Sequence, residues 1–235
     1  MKLIWRFIRP HWKLFTLTVL LLVDVSASGA FGSAEKSKRR TAAELAALLA
    51  FSAGRNGDKV GLLMFSDRIE LYVPPRSGRS HTLRLIREML AFRPQSGGTD
   101  IDLALRESAQ LLKKRSVVFL LSDLIDRKEF ETSLKLLNRR HDVVALQIFD
   151  PVEHRWPSAL PVVVEDAESG ELVRFGGGRR ELGRLEAELE QVREARRELC
   201  RRARVDLIEI ESGREVLRPV IEFFARRRRR LGNRG

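Results

Sequence analysis

The chain has 235 residues and a mass of 26.9 kDa, and 43% of its residues are hydrophobic and 32% are charged. This balance is typical of one globular domain, or at most a domain and a half, and excludes a disordered chain, a collagen and an integral membrane bundle. A single cysteine excludes an intramolecular disulfide and a cysteine-rich zinc site, and the four histidines lack zinc-ligand spacing. The net charge is +12, and six arginines in the last ten residues account for half of it.

The first thirty residues combine a basic stretch, residues 1–13, with an apolar run, residues 14–23, and could pass for a signal peptide. The run is too short to span a bilayer, which needs about twenty apolar residues. Its aliphatic and β-branched composition, with Asp24 directly after it, favours a buried strand over a cleaved signal. We expect residues 1–13 to form a basic arm that lies on the domain or on a membrane surface.

Apolar runs and helical patterns alternate along the rest of the chain. Strands are predicted at 17–23, 59–66, 69–73, 116–122, 142–149, 160–165, 171–175 and 205–210. Helices are predicted at 39–56, 80–92, 100–114, 127–139, 179–203 and 214–230. The alternation predicts an α/β fold with a mainly parallel sheet covered by helices on both faces. Pro74-Pro75 is expected to end the third strand, and the pair at 160–165 and 171–175 to be antiparallel.

Hydroxyl and carboxylate side chains stand at three places near the predicted strand ends. Asp24-Val25-Ser26-Ala27-Ser28 follows the first strand, Gly97-Gly98-Thr99-Asp100 lies between two helices, and Ser122-Asp123 closes the strand at 116–122. Loops at the carboxyl edge of a parallel sheet converge where the strand order reverses, and ligands bind there. Oxygen ligands without imidazole or thiolate suit a hard cation, most naturally Mg²⁺, with Mn²⁺ or Ca²⁺ as alternatives.

Each of the three segments also has a purely structural interpretation. Aspartate and serine commonly build the turn that follows a strand. Thr99 and Asp123 could each cap the helix that comes after them. The metal hypothesis therefore depends on the three segments occurring together.

Together these motifs resemble the metal-ion-dependent adhesion site of von Willebrand factor A domains. The flanking sequence resembles a prokaryotic family of unknown function that is encoded beside MoxR-type AAA+ ATPases, in the segments LLLVDVSASGAFGS, GDKVGLLMFSD, PPRSGRSHTLRL, GGTDIDLAL and VVFLLSDLID. The resemblance covers roughly residues 16–230. It implies a Rossmann-like von Willebrand factor A fold in which 69–73 is the one antiparallel edge strand. It also implies that the metal is held directly by Ser26, Ser28 and Thr99, and partly through water by Asp24 and Asp123.

The chain departs from the family pattern in two respects. Gly29 follows the second serine where family members usually have a hydrophobic residue, often methionine. Longer relatives also carry membrane helices and a β-rich region ahead of this domain, where this chain has residues 1–13. We expect one von Willebrand factor A-like domain over 14–230, after the basic arm and before a tail at 231–235.

The leading functional hypothesis is a non-enzymatic binding module that works with a MoxR-type ATPase or with a client that this ATPase remodels. The metal would keep one position open for an acidic residue of the partner. Neutral direct ligands would leave the cation electrophilic enough to capture that residue. This hypothesis places the protein in the cytoplasm, with attachment to the cytoplasmic face of the membrane left open.

Two alternatives remain. A Mg²⁺-dependent enzyme acting on phosphorylated substrates would need a base, for which Asp67, Asp100 and Asp126 are available, but the chain has no Walker motif, dinucleotide fingerprint or nucleophile elbow. Basic ends, above all Arg226 to Arg230, could bind an anionic membrane or nucleic acid with steep salt dependence. A solvated tail is the preferred interpretation of those arginines, and we do not expect nucleic acid as a partner.

Overall fold

The computed structural model describes residues 17–27, 37–151, 162–165, 172–175 and 179–232. The strands are β1 (Thr18–Asp24), β2 (Lys59–Phe65), β3 (Ile69–Arg76), β4 (Val117–Ser122), β5 (Asp142–Phe149), β6 (Val162–Glu165), β7 (Leu172–Phe175) and β8 (Asp206–Glu211). The helices are α1 (Lys38–Arg55), α2 (Arg79–Ala91), α3 (Ile101–Leu111), α4 (Glu131–Arg140), α5 (Arg179–Ala203) and α6 (Leu217–Gly232).

Six strands form one sheet in the order β3-β2-β1-β4-β5-β8. All neighbouring pairs are parallel except β2 with β3, which makes β3 an antiparallel edge strand. The sheet therefore has the mainly parallel α/β architecture that the sequence predicts, with its antiparallel strand at the predicted place. Strands β6 and β7 form a separate antiparallel pair, also as predicted.

Strand β1 lies at the centre of the fold, and its side chains alternate between two hydrophobic cores. Val19, Leu21 and Val23 pack on one face of the sheet among side chains of α1, α2 and α6. Leu20 and Leu22 pack on the other face among side chains of α3, α4 and α5. Burial on both faces explains why this segment is a continuous apolar run rather than an alternating one. The run at 17–23 is thus the central strand of the domain.

Strand β3 does not end at Pro74-Pro75, so that prediction was wrong. It continues to Arg76, which pairs with Val60 across an irregularity in the register. An edge strand can carry proline because the missing N–H does not interrupt a ladder on its open side. Gly61 accommodates the ring of Pro75, since a Cβ added at this glycine would lie 2.8 Å from Pro75 Cγ.

The C-terminal arginines lie within α6, which continues to Gly232, beyond the predicted domain boundary at 230. The expectation of a fully solvated tail was wrong for Arg227. Its guanidinium donates to Asp142 Oδ1 at 2.7 Å and approaches Asp206 Oδ2 to 3.4 Å. These two aspartates begin β5 and β8, so Arg227 joins α6 to the amino edge of the sheet. In the part of the chain that the structure describes, no helix is long and apolar enough to cross a membrane.

Candidate metal centre

The carboxyl ends of β1 and β4 are adjacent in the sheet and bring two predicted metal ligands together. Asp24 ends β1, and Asp123 follows Ser122 at the end of β4. The hydroxyl of Ser122 donates to Asp24 Oδ2 at 2.7 Å. The amide of Ser26 donates to Asp24 Oδ1 at 3.0 Å. Asp24, Ser26 and Asp123 are all buried, so one small desolvated site holds three of the five predicted ligands.

The two carboxylates of this site influence each other electrostatically. Burial first, and the charge of Asp123 second, raise the pKa of Asp24 to about 6, against hydrogen bonds from Ser26 and Ser122 that lower it. Asp123 Oδ1 accepts from the amide of Ile125 at 3.1 Å. Its Oδ2 accepts from Lys38 Nζ at 3.0 Å, in an ion pair whose side chains are about 5% exposed. A site with two buried carboxylates therefore favours a positive charge.

The glycine-rich segment that contains Thr99 lies at the same edge of the sheet. The amide of Ala27, in the loop after β1, donates to the carbonyl of Gly97 at 3.0 Å. The amide of Asp100 donates to the carbonyl of Ser66, just after β2, at 2.9 Å. Gly97 permits this approach, because a Cβ there would lie 3.3 Å from the Cβ of Ala27. The structure thus places all three predicted segments at the carboxyl edge.

Thr99 has a buried hydroxyl oxygen with no hydrogen-bond partner among the described residues. Leaving a buried hydroxyl unpaired costs about 1–3 kcal/mol, so such groups usually have a ligand or a water. Thr99 is not the cap of α3, because Asp100 has that role and accepts from the amide of Leu103 at 2.8 Å. Asp123 does not cap α4 either, since that helix begins at Glu131. Both capping alternatives for the predicted ligands were therefore wrong.

The donor set fits a hard cation in its chemistry. Ser26 and Thr99 offer neutral hydroxyls, and Asp24 and Asp123 offer carboxylates, which are the oxygen ligands that Mg²⁺ uses. Ser28, the remaining predicted ligand, and Gly29 lie outside the described residues. Within the described residues no group of three or more His, Cys, Asp or Glu side chains could hold a metal ion. A metal at this edge would therefore depend on the hydroxyls.

The carboxylates considered as bases have structural partners. Asp126 Oδ2 accepts from the amide of Ile101 at 2.7 Å, at the start of α3. Asp100 Oδ2 accepts from Lys128 Nζ at 2.5 Å. Burial works to raise the pKa of Asp100, but hydrogen bonds from Lys128 and Leu103 outweigh it and the pKa is lowered. These groups hold α3 against the loop that follows β4, and a lowered pKa makes Asp100 a weaker base.

Sequence reasoning missed Lys38, which lies directly before the helix predicted at 39–56. The structure makes Lys38 the first residue of α1 and buries it against Asp123. The available signal was weak, namely one lysine directly before a helix that is apolar almost all round. The cavity beside it has a volume of about 20 Å³ and is lined by Asp24, Lys38 and Asp123 among others. That volume is enough for one water or one small ion.

Comparison with known proteins agrees with this architecture. Residues 6–198 match the family described as "Protein of unknown function DUF58". The chain belongs to this family. Uncharacterized protein Rv1480 of Mycobacterium tuberculosis is 29% identical to the DUF58 chain over 221 residues, which is 91% of this chain and 68% of the relative.

Some solved structures are similar to this chain at low sequence identity. BatB from Bacteroides thetaiotaomicron superposes with a TM-score of 0.56 and 15% identity, covering 89% of the DUF58 chain and 99% of BatB. The VWA domain of SpRpn10 gives a TM-score of 0.48 and 11% identity, over 89% of this chain and 95% of that domain. The sheet order and the likeness to BatB confirm the predicted fold class, a mainly parallel α/β sheet with one antiparallel edge strand.

Proposed function

We propose that this DUF58 domain is a metal-dependent protein-interaction module with an adhesion-type Mg²⁺ site at the carboxyl edge of its sheet. Ser26, Ser28 and Thr99 would be direct ligands, and Asp24 and Asp123 would act partly through water. The cation would supply an open coordination position for an acidic side chain of a partner protein. In this proposal the domain binds and does not catalyse.

The observation that carries the proposal is the buried hydroxyl of Thr99, which has no partner among the described residues and lies at the edge where Asp24 and Asp123 also lie. A side chain of the same shape without the hydroxyl, such as valine, would avoid the cost of burying an unpaired polar group. A bound ligand would explain why threonine is present instead. Burial first, and the charge of Asp123 second, raise the pKa of Asp24, so the two carboxylates disfavour each other. A divalent cation would satisfy the hydroxyl and relieve the repulsion between the carboxylates at the same time.

The arrangement of these side chains supports capture of an external carboxylate. Asp24 has both oxygens in hydrogen bonds with Ser26 and Ser122, so the structure holds its carboxylate in one orientation. The neutral hydroxyls contribute no charge, which leaves a bound cation strongly attractive to an incoming Asp or Glu. The sequence resemblance makes a MoxR-type AAA+ ATPase, or its client protein, the partner that we propose.

The proposal is tested by measuring how Mg²⁺ shifts the melting temperature of the wild type and of Thr99→Val. Mg²⁺ should stabilise the wild type by mass action, and Thr99→Val should lose most of that shift while keeping or raising its stability in EDTA. Thr82→Val is the matched control, because the hydroxyl of Thr82 donates to the carbonyl of Gly78, directly before α2. It should lose stability but keep the full Mg²⁺ response.

Partner binding is tested by pulldown with a co-expressed MoxR-type ATPase, in Mg²⁺ and in EDTA. We expect the complex to form in Mg²⁺ and to be lost in EDTA and in Thr99→Val. A complex that survives both treatments would show that binding uses another surface, with the basic residues of α6 the first to examine. A wild type whose melting temperature does not respond to Mg²⁺, Mn²⁺ or Ca²⁺ would refute the metal site.

A further inference from the structure

Lys38 is a buried lysine whose charge is paired with a carboxylate of the candidate metal centre. Its side chain is 5% exposed, and its Nζ is 3.0 Å from Asp123 Oδ2. Lysine is almost never this buried unless it is paired. The same residue lines the small cavity that Asp24 and Asp123 also line. A positive charge belonging to the chain is therefore paired with Asp123, one of the residues that the proposed function assigns to an external cation.

The carboxylates explain why a lysine is found here. Asp24 and Asp123 are 8% and 5% exposed, and two buried negative charges without a cation would destabilise the fold. The ammonium of Lys38 reduces that repulsion. It also occupies Asp123 Oδ2, while Oδ1 of the same carboxylate accepts from the amide of Ile125. Asp123 thus has both oxygens engaged before any metal binds.

We propose that Lys38 is a built-in competitor of the divalent cation, which holds Asp123 in the metal-free state and leaves when the metal binds. This inference rests on the proposed function, since it assumes that the site takes a metal. An ammonium and a divalent cation repel strongly in a buried site, so both cannot stay against Asp123. Lys38 begins α1 and has a flexible four-carbon stem, which allows its charged end to turn outward to water.

Competition of this kind sets the metal affinity. Part of the binding free energy of the metal is spent in breaking the ion pair of Lys38 with Asp123. In return, the metal-free domain keeps the buried carboxylate of Asp123 paired with a counter-charge. The site would therefore bind Mg²⁺ more weakly than its ligand set allows, and would fill when metal and partner carboxylate are present together.

The first test is Lys38→Met, which shortens the unbranched side chain by one atom and removes the charge. Isothermal titration with MgCl₂ at constant ionic strength should show affinity about tenfold or more above the wild type. Lys59→Met is the matched control, because Lys59 is exposed at the start of β2, at the opposite edge of the sheet, and should leave the affinity unchanged. Equal or weaker Mg²⁺ binding by Lys38→Met would overturn the inference.

A second measurement uses the wild type and does not depend on whether Lys38→Met folds without metal. Lysines are acetylated briefly with and without Mg²⁺, and the labelled positions are quantified by mass spectrometry. Mg²⁺ should raise the labelling of Lys38 several-fold and leave Lys59 unchanged. Unchanged or reduced labelling of Lys38 under saturating Mg²⁺ would contradict its displacement.

The two experiments separate failure of this inference from failure of the proposed function. If the wild type binds Mg²⁺ and Lys38→Met binds no better, the metal site stands and the competition does not. If neither protein binds Mg²⁺, both proposals fall, and Lys38 is a permanent counter-ion of Asp123. Tighter binding by Lys38→Met together with exposure of Lys38 in the wild type supports both.

Discussion

Asp24→Asn is expected to stabilise the metal-free domain, and to do so more at high pH than at low pH. The pKa of Asp24 is raised from 3.8 to about 6, chiefly by burial and then by the charge of Asp123. A carboxyl whose folded pKa is raised stabilises the fold when protonated, and this contribution is lost as the pH rises through about 6. Asparagine has nearly the same shape as aspartate and stays neutral at every pH. The variant therefore keeps the stability that the wild type loses as the pH rises through about 6.

The magnitude follows from the two pKa values. A rise of the pKa from 3.8 to about 6 corresponds to about 3 kcal/mol at pH 8, where the wild-type carboxylate is charged in both the folded and the unfolded state. At pH 4.5 the wild type is largely protonated when folded, and the gain should fall to about 1 kcal/mol. The carbonyl of asparagine can still accept from the amide of Ser26, as Asp24 Oδ1 does at 3.0 Å.

The assay is urea denaturation in EDTA at pH 4.5 and pH 8, with the free energy of unfolding compared between variant and wild type. Asp123→Asn is the matched control with the opposite sign, because it removes the buried ion pair with Lys38 and should destabilise the domain. A gain for Asp24→Asn that is equal at both pH values would refute the electrostatic reasoning. A loss at pH 8 would show that its hydrogen bonds matter more than its charge.

Two further predictions concern regions away from the metal centre. Arg227→Gln should lower the melting temperature by about 2–4 °C, the equivalent of about 1 kcal/mol, because Arg227 pairs with Asp142 and Asp206, whereas the exposed Arg229→Gln should leave it unchanged. Equal melting curves for the two variants would mean that the ion pairs of Arg227 contribute nothing. Burial raises the pKa of Cys200 to about 12, so Ellman's reagent at pH 8 should label the thiol only after urea unfolds the chain. Rapid stoichiometric labelling of the native protein would contradict the packing of α5.

Most of the sheet could be predicted because its strands carry a strong local signal. Strands β1 and β4 are buried on both faces, so their sequences are unbroken apolar runs, and their predicted bounds lie within one residue of the observed ones. Boundaries that depend on distant partners were less predictable. Helix α4 begins at Glu131 rather than at 127, because the preceding residues form the loop whose Asp126 bonds the start of α3. No local pattern shows such a partner.

The candidate site likewise has residues that could be predicted from the sequence and one that could not. Asp24, Thr99 and Asp123 are far apart in the sequence, but a general rule brings the carboxyl ends of parallel strands and their loops to one edge. The sequence therefore predicted both the chemistry of these side chains and their location at one edge of the sheet. No such rule applies to the counter-charge of a buried carboxylate, which can come from any element that packs nearby.

Lys38 illustrates the consequence for predicting function. A lysine at the first position of a helix is ordinarily exposed, and only the packing of α1 against the end of β4 buries it beside Asp123. A ligand set specifies which ion a site can hold, whereas the charges already present determine how tightly it holds that ion. The five predicted ligands favour a hard cation, but the affinity that we propose for it depends on Lys38, whose position only the folded structure reveals.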